Sequence, residues 1–377
     1  MITVVFSFLL ILSSYKMEIS NFFKGLKVIE LASVLAGPSV GMFFAELGAT
    51  VLKIENKTTK GDVTRKWKMP SEDPAATDSA YYHSINWGKE KLFLNLFDNK
   101  DYRIFTKHLE DADLVISNFK ADSAKKLKLD YSTLQSINNK IIYANISAYC
   151  SDDNRPGFDV LMQAETGWLS MNGPANGNAV KLPVALMDVL TAHQLKEGIL
   201  LALLHRERTG KGSEVEAALY DSGVASLVNQ ASNWLNAGHL PERMGSQHPN
   251  IAPYGDILLV DGIEIILSTG TQGQFEKLLE VLDLSKLKED TRFSKNADRL
   301  VNREALMEAL TKAATKLKAT EFLANCEQHG VPVAPIRNLK MVFDDPQTKK
   351  LLLHGEDEKG QPTRVVRSVA FKLKTRR

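Results

Sequence analysis

Residues 26–55 read LKVIELASVLAGPSVGMFFAELGATVLKIE. The runs LKVIEL (26–31) and TVLKIE (50–55) are short, apolar and rich in β-branched residues, which is the composition of strands. Between them, Pro38 suits the first turn of a helix and Gly48 suits its C-terminal cap. The stretch therefore reads as a strand–helix–strand unit. The same rhythm continues outward: KLFLNL (91–96), DLVISN (113–118) and IIYANIS (141–147) read as further strands, with helical patterns at 100–110 and 130–138. Strands alternating with helices argue for a parallel sheet covered on both faces, a doubly wound, Rossmann-like α/β domain.

Further along, DVLTAHQLKEGILLALLHRERTG (188–210) carries apolar residues at helical spacing, and a second helical pattern covers 214–238. GSQHPNIAPYGD (245–256) is rich in Gly, Pro and Asn and marks a boundary. Beyond it a strand pair (257–269) and helices near 272–282 and 302–328 predict a smaller α+β unit, and GVPVAPIRNL (330–339) reads as a connection leaving it.

Composition excludes several classes. The 377 residues include 47 Lys+Arg and 45 Asp+Glu, a formal charge of +2, which argues against a nucleic-acid binder. Two cysteines, Cys150 and Cys326, rule out a disulfide framework and point to a reducing, cytoplasmic setting, where both are expected as buried small hydrophobes. The eight histidines form no H-E-x-x-H pair and no cluster with cysteine, so no metal is expected. The apolar run 2–12 is too short to span a bilayer and has no basic residue before it, so residues 1–16 are expected to be a leader or a mis-called start. No other stretch predicts a membrane span. Residues 31–38 lack G-x-G-x-x-G, 209–213 lack the P-loop frame, and no G-x-S-x-G occurs. The basic tail (Arg364, Arg367, Lys372, Lys374, Arg376, Arg377) reads as a solvated terminus.

Seven segments in order carry a resemblance. LKVIELASVLAGPSVGMFFAELGATVLKIEN, GDVTRKW, ADLVISNF, RPGFDVLMQAETG, LLALLHRERTGKG, HPNIAPYG and RFSKNADRLVNREAL together resemble the family III CoA-transferases, from about residue 25 to about 350. That family includes formyl-CoA transferase, carnitine-type CoA-transferases and α-methylacyl-CoA racemases. The resemblance implies a large Rossmann-like CoA-binding domain (17–222, with a C-terminal return over 338–377), a linker helix (223–244) and a small α+β domain (245–337). It implies an interlocked homodimer, with acyl-CoA and a carboxylic acid as substrates and no permanently bound cofactor.

It also implies site residues. Asp188 matches the family's nucleophilic aspartate, whose carboxylate forms an acyl anhydride and then an aspartyl-CoA thioester. On the residues alone, Asp188 opening a long helix reads first as an N-cap, and it is the resemblance that turns the reading to a nucleophile. Asp159 stands where the formyl-CoA enzyme has an acidic residue near its active centre, or caps its own helix. The racemases use a His–Asp pair, and Phe158 occupies the His position; Phe cannot move a proton, which favours transferase over racemase. A non-catalytic acyl-CoA binder is the remaining alternative. The resemblance assigns CoA contacts to Leu35, Ala36, Asn118, Phe119, Lys120 and Lys126. Asn56 and Phe97 replace basic CoA-contact residues of the formyl-CoA pattern. Gly245, Ser246, Gln247 and His248 match a glycine-rich substrate loop, of which this chain keeps only Gly245; an interdomain hinge is the other reading.

Overall fold

The computed structural model describes residues 19–149, 153 and 155–373. The expectations for residues 1–16, Cys150, Lys374, Arg376 and Arg377 lie outside the described residues. The chain divides into two compact units: one runs to Thr166 and resumes at Val184–Ser226 and from Lys350, and the other comprises Gly167–Pro183 and Leu227–Lys349.

The first unit is built on a fully parallel sheet of β1 (Lys27–Glu30), β2 (Thr50–Asn56), β3 (Glu90–Leu94), β4 (Leu114–Ser117), β5 (Ile142–Ser147) and β6 (Ser213–Ala218). Its order is β3-β2-β1-β4-β5-β6. The helices that accompany it are α1 (Ala36–Glu46), α2 (Ala80–His83), α3 (Asn99–Glu110), α4 (Ala121–Leu127), α5 (Tyr131–Ile137), α6 (Asp159–Glu165), α8 (Leu186–Thr209) and α9 (Leu219–Ala225); α7 (Trp168–Met171) belongs to the other unit.

Alternation along the strands decides the layers. Ile29, Leu31, Val115 and Tyr143 pack with Phe105 and Leu109 of α3 and Leu134 of α5. On the opposite face α1 and α8 pack against each other and against β1, β4, β5 and β6. Both faces are thus covered, as the unbroken apolar strands require. A hairpin of β10 (Leu352–Glu356) and β11 (Pro362–Val366) completes the unit.

One strand departs from expectation. Residues 214–238 were expected to be helical, but Ser213–Ala218 is β6, paired in parallel with β5. Glu214 and Glu216 are exposed while Val215 and Ala217 are half-buried, a two-residue period that overrides the helical reading. Gly212 makes the pairing possible, because a Cβ there would collide with the Ile141 carbonyl. Only the remainder of the segment is helical, as α9 and α10 (Val228–Ala237).

The second unit holds an antiparallel sheet ordered β7 (Tyr254–Val260), β8 (Ile263–Ser268), β9 (Val333–Pro335). The third strand lies in the segment 330–339 expected to be a plain connection. Its helices include α11 (Gln272–Val281), α12 (Asn296–Val301), α13 (Arg303–Ala314) and α14 (Ala319–His329); the expected 302–328 helix is two helices. Leu258, Val260, Ile265 and Leu267 of the sheet pack with Phe275, Leu278, Leu306, Leu310, Phe322 and Cys326 of these helices. Cys326 is fully buried, as expected.

Candidate active site

In an open parallel sheet, ligands bind beyond the carboxyl ends of the strands, where the strand order reverses. Here that point lies between β1 and β4. A cavity of about 260 Å³ opens there, lined by Ser33, Val34, Leu35 and Ala36 after β1, by Asn118, Phe119 and Lys120 after β4, and by Phe158 and Asp188. A second cavity of about 420 Å³ shares Ser33, Asn118 and Phe119 and extends to Asn56, Lys66, Leu94 and Phe97. The Asn118 amide joins the two loops: its Oδ1 accepts from the Ser33 N–H at 3.2 Å, and its Nδ2 donates to the Ser33 carbonyl at 2.9 Å.

Asp188 is the third residue of α8, not its cap; the helix begins at Leu186, with Ala185 at the cap position. Its side chain is buried, at 9% exposure, and no hydrogen bond reaches its carboxylate among the described residues. The first turn of a 24-residue helix favours negative charge. Burial, and then the nearby Asp159 charge, outweigh that and push the Asp188 carboxyl up to about 7.

Asp159 is the first residue of α6, and its own helix has Phe158 at the cap position. Its Oδ1 accepts from the Met187 N–H at 2.7 Å and its Oδ2 from the Gln163 amide at 2.6 Å. Asp159 therefore caps α8 from outside. Tyr81, on α2, was not singled out in the sequence. Burial first, and then the charges of Asp188, Asp159 and Asp62, raise its phenol to about 12, which places it in the field of those carboxylates.

The helix α1 opens the other side of the cavity. Its Leu35 cap position makes no side-chain cap bond, and the N–H groups of Leu35, Ala36 and Gly37 have no acceptor among the described residues. Free amides at a helix N-terminus suit a developing oxyanion. Of the expected contacts, Leu35, Ala36, Asn118, Phe119 and Lys120 line the cavity, whereas Lys126 is exposed and lines neither cavity; Lys125, one residue earlier on α4, takes its place in the wall. The Asn56 side-chain Oδ1 is engaged within its own turn, accepting from the Thr58 N–H and hydroxyl. Phe97 is 73% exposed.

Gly245, Ser246, Gln247 and His248 belong to the second unit. There the Gln247 amide donates to Asp256 at 2.8 Å, the Ser246 hydroxyl to the Gly255 carbonyl at 2.5 Å, and the His248 N–H to the Tyr254 carbonyl at 2.9 Å. Arg303 clamps the same segment, donating to the carbonyls of His248 and Ile251 at 2.6 and 2.8 Å. The loop is thus tied down by two of its own side chains, by its backbone and by Arg303. Among the described residues, no group of three His, Cys, Asp or Glu side chains could hold a metal, and no helix is long and apolar enough to cross a membrane.

The family described as CoA-transferase family III matches residues 23–376. The chain belongs to that family. It is 35% identical to the succinate–glutarate CoA-transferase of Agrobacterium fabrum, over 86% of this chain and 82% of the relative. It is 33% identical to the acetyl-CoA:oxalate CoA-transferase of Acetobacter aceti, over 86% and 83%. Among solved structures, a CaiB/BaiF family protein from Brucella suis superimposes with a TM-score of 0.81 at 36% identity, over 94% of this chain and 93% of that one. This family III CoA-transferase thus uses CoA thioesters as substrates and moves CoA between an acyl-CoA and a carboxylate, on the expected α/β architecture.

Proposed function

We propose that this CoA-transferase works through Asp188 as its nucleophile, with a dicarboxylate as the acceptor. One observation carries the reading: Asp188 is a buried carboxylate with no hydrogen bond among the described residues, in the wall of the cavity that the free N-terminus of α1 also lines. A carboxylate that donors do not hold keeps its electron pairs available for attack.

The steps balance without another reagent. An Asp188 oxygen attacks the thioester carbonyl, whose oxyanion is received by the N–H groups at the start of α1; the C–S bond breaks and gives a mixed anhydride and CoA thiolate. The thiolate attacks the aspartyl carbon, giving an aspartyl-CoA thioester and releasing the donor acid. The acceptor carboxylate attacks this thioester, forming a second anhydride and thiolate. Attack of that thiolate on the acceptor's acyl carbon yields the new acyl-CoA and restores Asp188.

CoA is read as lying across the two cavities that meet at Ser33, Asn118 and Phe119, with Lys120 and Lys125 toward its phosphates, the first unit serving as the CoA-binding domain. The 245–248 segment is read as a substrate loop already ordered by Gln247 and Arg303, and no permanently bound cofactor enters the scheme. The names of the relatives support a dicarboxylic acid as partner substrate.

A homodimer is part of the same reading. On α8, Leu200, Leu201 and Leu204 are 42, 69 and 48% exposed, and in the second unit Trp234 and Leu235 are 51 and 76% exposed. Apolar surface of this extent marks protein contact. A cytoplasmic setting follows from the cysteine usage. The test is an assay with succinyl-CoA against oxalate, glutarate, mesaconate, acetate and butyrate, following new thioesters by chromatography. Transfer to one or more dicarboxylates at least tenfold faster than to either monocarboxylate is expected; a preference for acetate or butyrate would overturn the acceptor class.

A further inference from the structure

Val34 adopts a backbone conformation that its side chain opposes. Its φ is 73°, in the left-handed region, where a Cβ is crowded and a β-branched one most of all. Such a residue persists only where its surroundings over-determine it. The Val34 N–H points into the Asp62 carboxylate, 3.2 Å from Oδ2 and 3.5 Å from Oδ1.

Asp62 is itself immobilised. Its Oδ1 accepts from the Thr64 N–H at 3.0 Å and from the Thr64 hydroxyl at 2.8 Å, and its own N–H donates to Glu55 at 2.6 Å. Its Oδ2 lies 3.2 Å from the Lys53 ammonium. Lys53 also donates to the Ala32 carbonyl at 2.8 Å and pairs with Glu30 at 2.9 Å, and Glu30 pairs with Lys89 at 2.7 Å. All four side chains are buried. Gly41 of α1 leaves room for them, since a Cβ there would overlap the Glu30 carboxylate.

A buried run of alternating charges is a poor way to stabilise a sheet, because apolar residues of similar volume commonly do as well or better. What this run does is grip the backbone of the loop after β1 at Ala32 and Val34, while Asn118 grips it at Ser33. The next residues, Leu35 and Ala36, carry the free N–H groups of the cavity.

We infer that Asp62 is a positioning residue for CoA transfer: it locks Val34 in the left-handed conformation and so fixes the free N–H groups of Leu35 and Ala36 in the cavity that Asp188 lines. The inference rests on the reading of Asp188 as nucleophile. Without the carboxylate, Val34 relaxes toward negative φ and the Val34–Leu35 peptide turns, so donors set in advance of the reaction are no longer in place. The competing role is structural only: Asp62 also caps the short 3-10 turn at Val63–Lys66.

The test is a pair of variants, Asp62→Ala and Asp62→Ala/Val34→Gly, each measured for CoA dissociation constant and for the single-turnover rate of CoA release from succinyl-CoA. Glycine takes positive φ without a clamp. Asp62→Ala is expected to slow the turnover by about tenfold to a hundredfold, short of the roughly hundredfold to thousandfold that outright loss of an oriented donor costs, and by a larger factor than any rise in the CoA dissociation constant. Adding Val34→Gly is expected to recover at least fivefold of the loss. Should Asp62→Ala fail to fold, Asp62→Asn and its Val34→Gly double take their place under the same criterion. A full turnover rate in the single variant, or a double variant no faster than the single one, overturns the proposal in favour of the cap. Asp188→Asn run alongside separates the two readings: if it still transfers CoA, the nucleophile assignment falls, while the Asp62 assignment is decided by the rescue ratio alone.

Discussion

The carboxylate of Asp159 accepts the backbone N–H of Met187 at 2.7 Å, so the helix that carries Asp188 is capped by a side chain from a different helix. Two acidic residues are thereby held in one place with different tasks. Asp159 satisfies the helix terminus, and its charge helps keep the Asp188 proton affinity high. Replacing Asp159 by Ala removes an α8 cap and is expected to cost about 1 kcal/mol in urea unfolding. Asp159→Asn keeps an acceptor oxygen and is expected to cost less. Because burial is the larger cause of the Asp188 shift, the acid limb of the rate profile in Asp159→Asn should move below pH 7 without reaching the ordinary aspartate range.

Asp188→Asn should abolish transfer and yet stabilise the protein at alkaline pH. Asp188 holds its proton up to about pH 7 when folded, against 3.8 for the ordinary side chain. The folded state therefore binds more protons than the unfolded one between those values, and stability falls as pH rises through that window. Its contribution is full below about pH 4 and is lost above pH 7, a swing of about 4 kcal/mol. Denaturant titrations at pH 8 should show Asp188→Asn more stable than the parent, with the gap closing toward pH 4.

Arg303 organises the second unit's loop. Its guanidinium contacts Asp256 at 3.2 Å, and both side chains are buried. Arg303→Ala leaves that carboxylate buried without its cation and frees two carbonyls of the 248–251 segment. Unfolding of the unit should be easier by about 3–5 kcal/mol. Calorimetry with hydrogen exchange at residues 245–256 reads both effects.

If the exposed leucines of α8 face a second copy, Leu201→Glu should shift sedimentation equilibrium from dimer toward monomer at micromolar concentration. A parent protein that sediments as a monomer contradicts the homodimer.

Much of this was legible in the chain. The runs 26–31 and 50–55 with Pro38 and Gly48 between them predict β1, α1 and β2 to within two residues, because strand composition and helix punctuation agree there. β6 escapes a helical reading only in the fold, because its alternation lasts six residues before the helical pattern of α9 begins at Leu219, and the parallel partner that decides between the two periods, β5, ends 66 residues before it. Asp159's role was hidden for a related reason: its partner, Met187, is 28 residues away. Lys126 and Lys125 differ only in helix phase, which sequence spacing does not settle. Nothing in the residue type Val announces a positive φ at position 34, so the grip of Asp62 shows only in the folded chain.

Asp188 is the residue that carries CoA between donor and acceptor in the proposed mechanism. The most direct measurement is intact-mass spectrometry of the protein incubated with succinyl-CoA, before and after hydroxylamine, with Asp188→Asn as the control. A CoA-sized adduct is expected that maps to Asp188, is released by hydroxylamine and is absent from the variant. Transfer that proceeds with no adduct, or an adduct that persists in Asp188→Asn, would contradict the proposed mechanism.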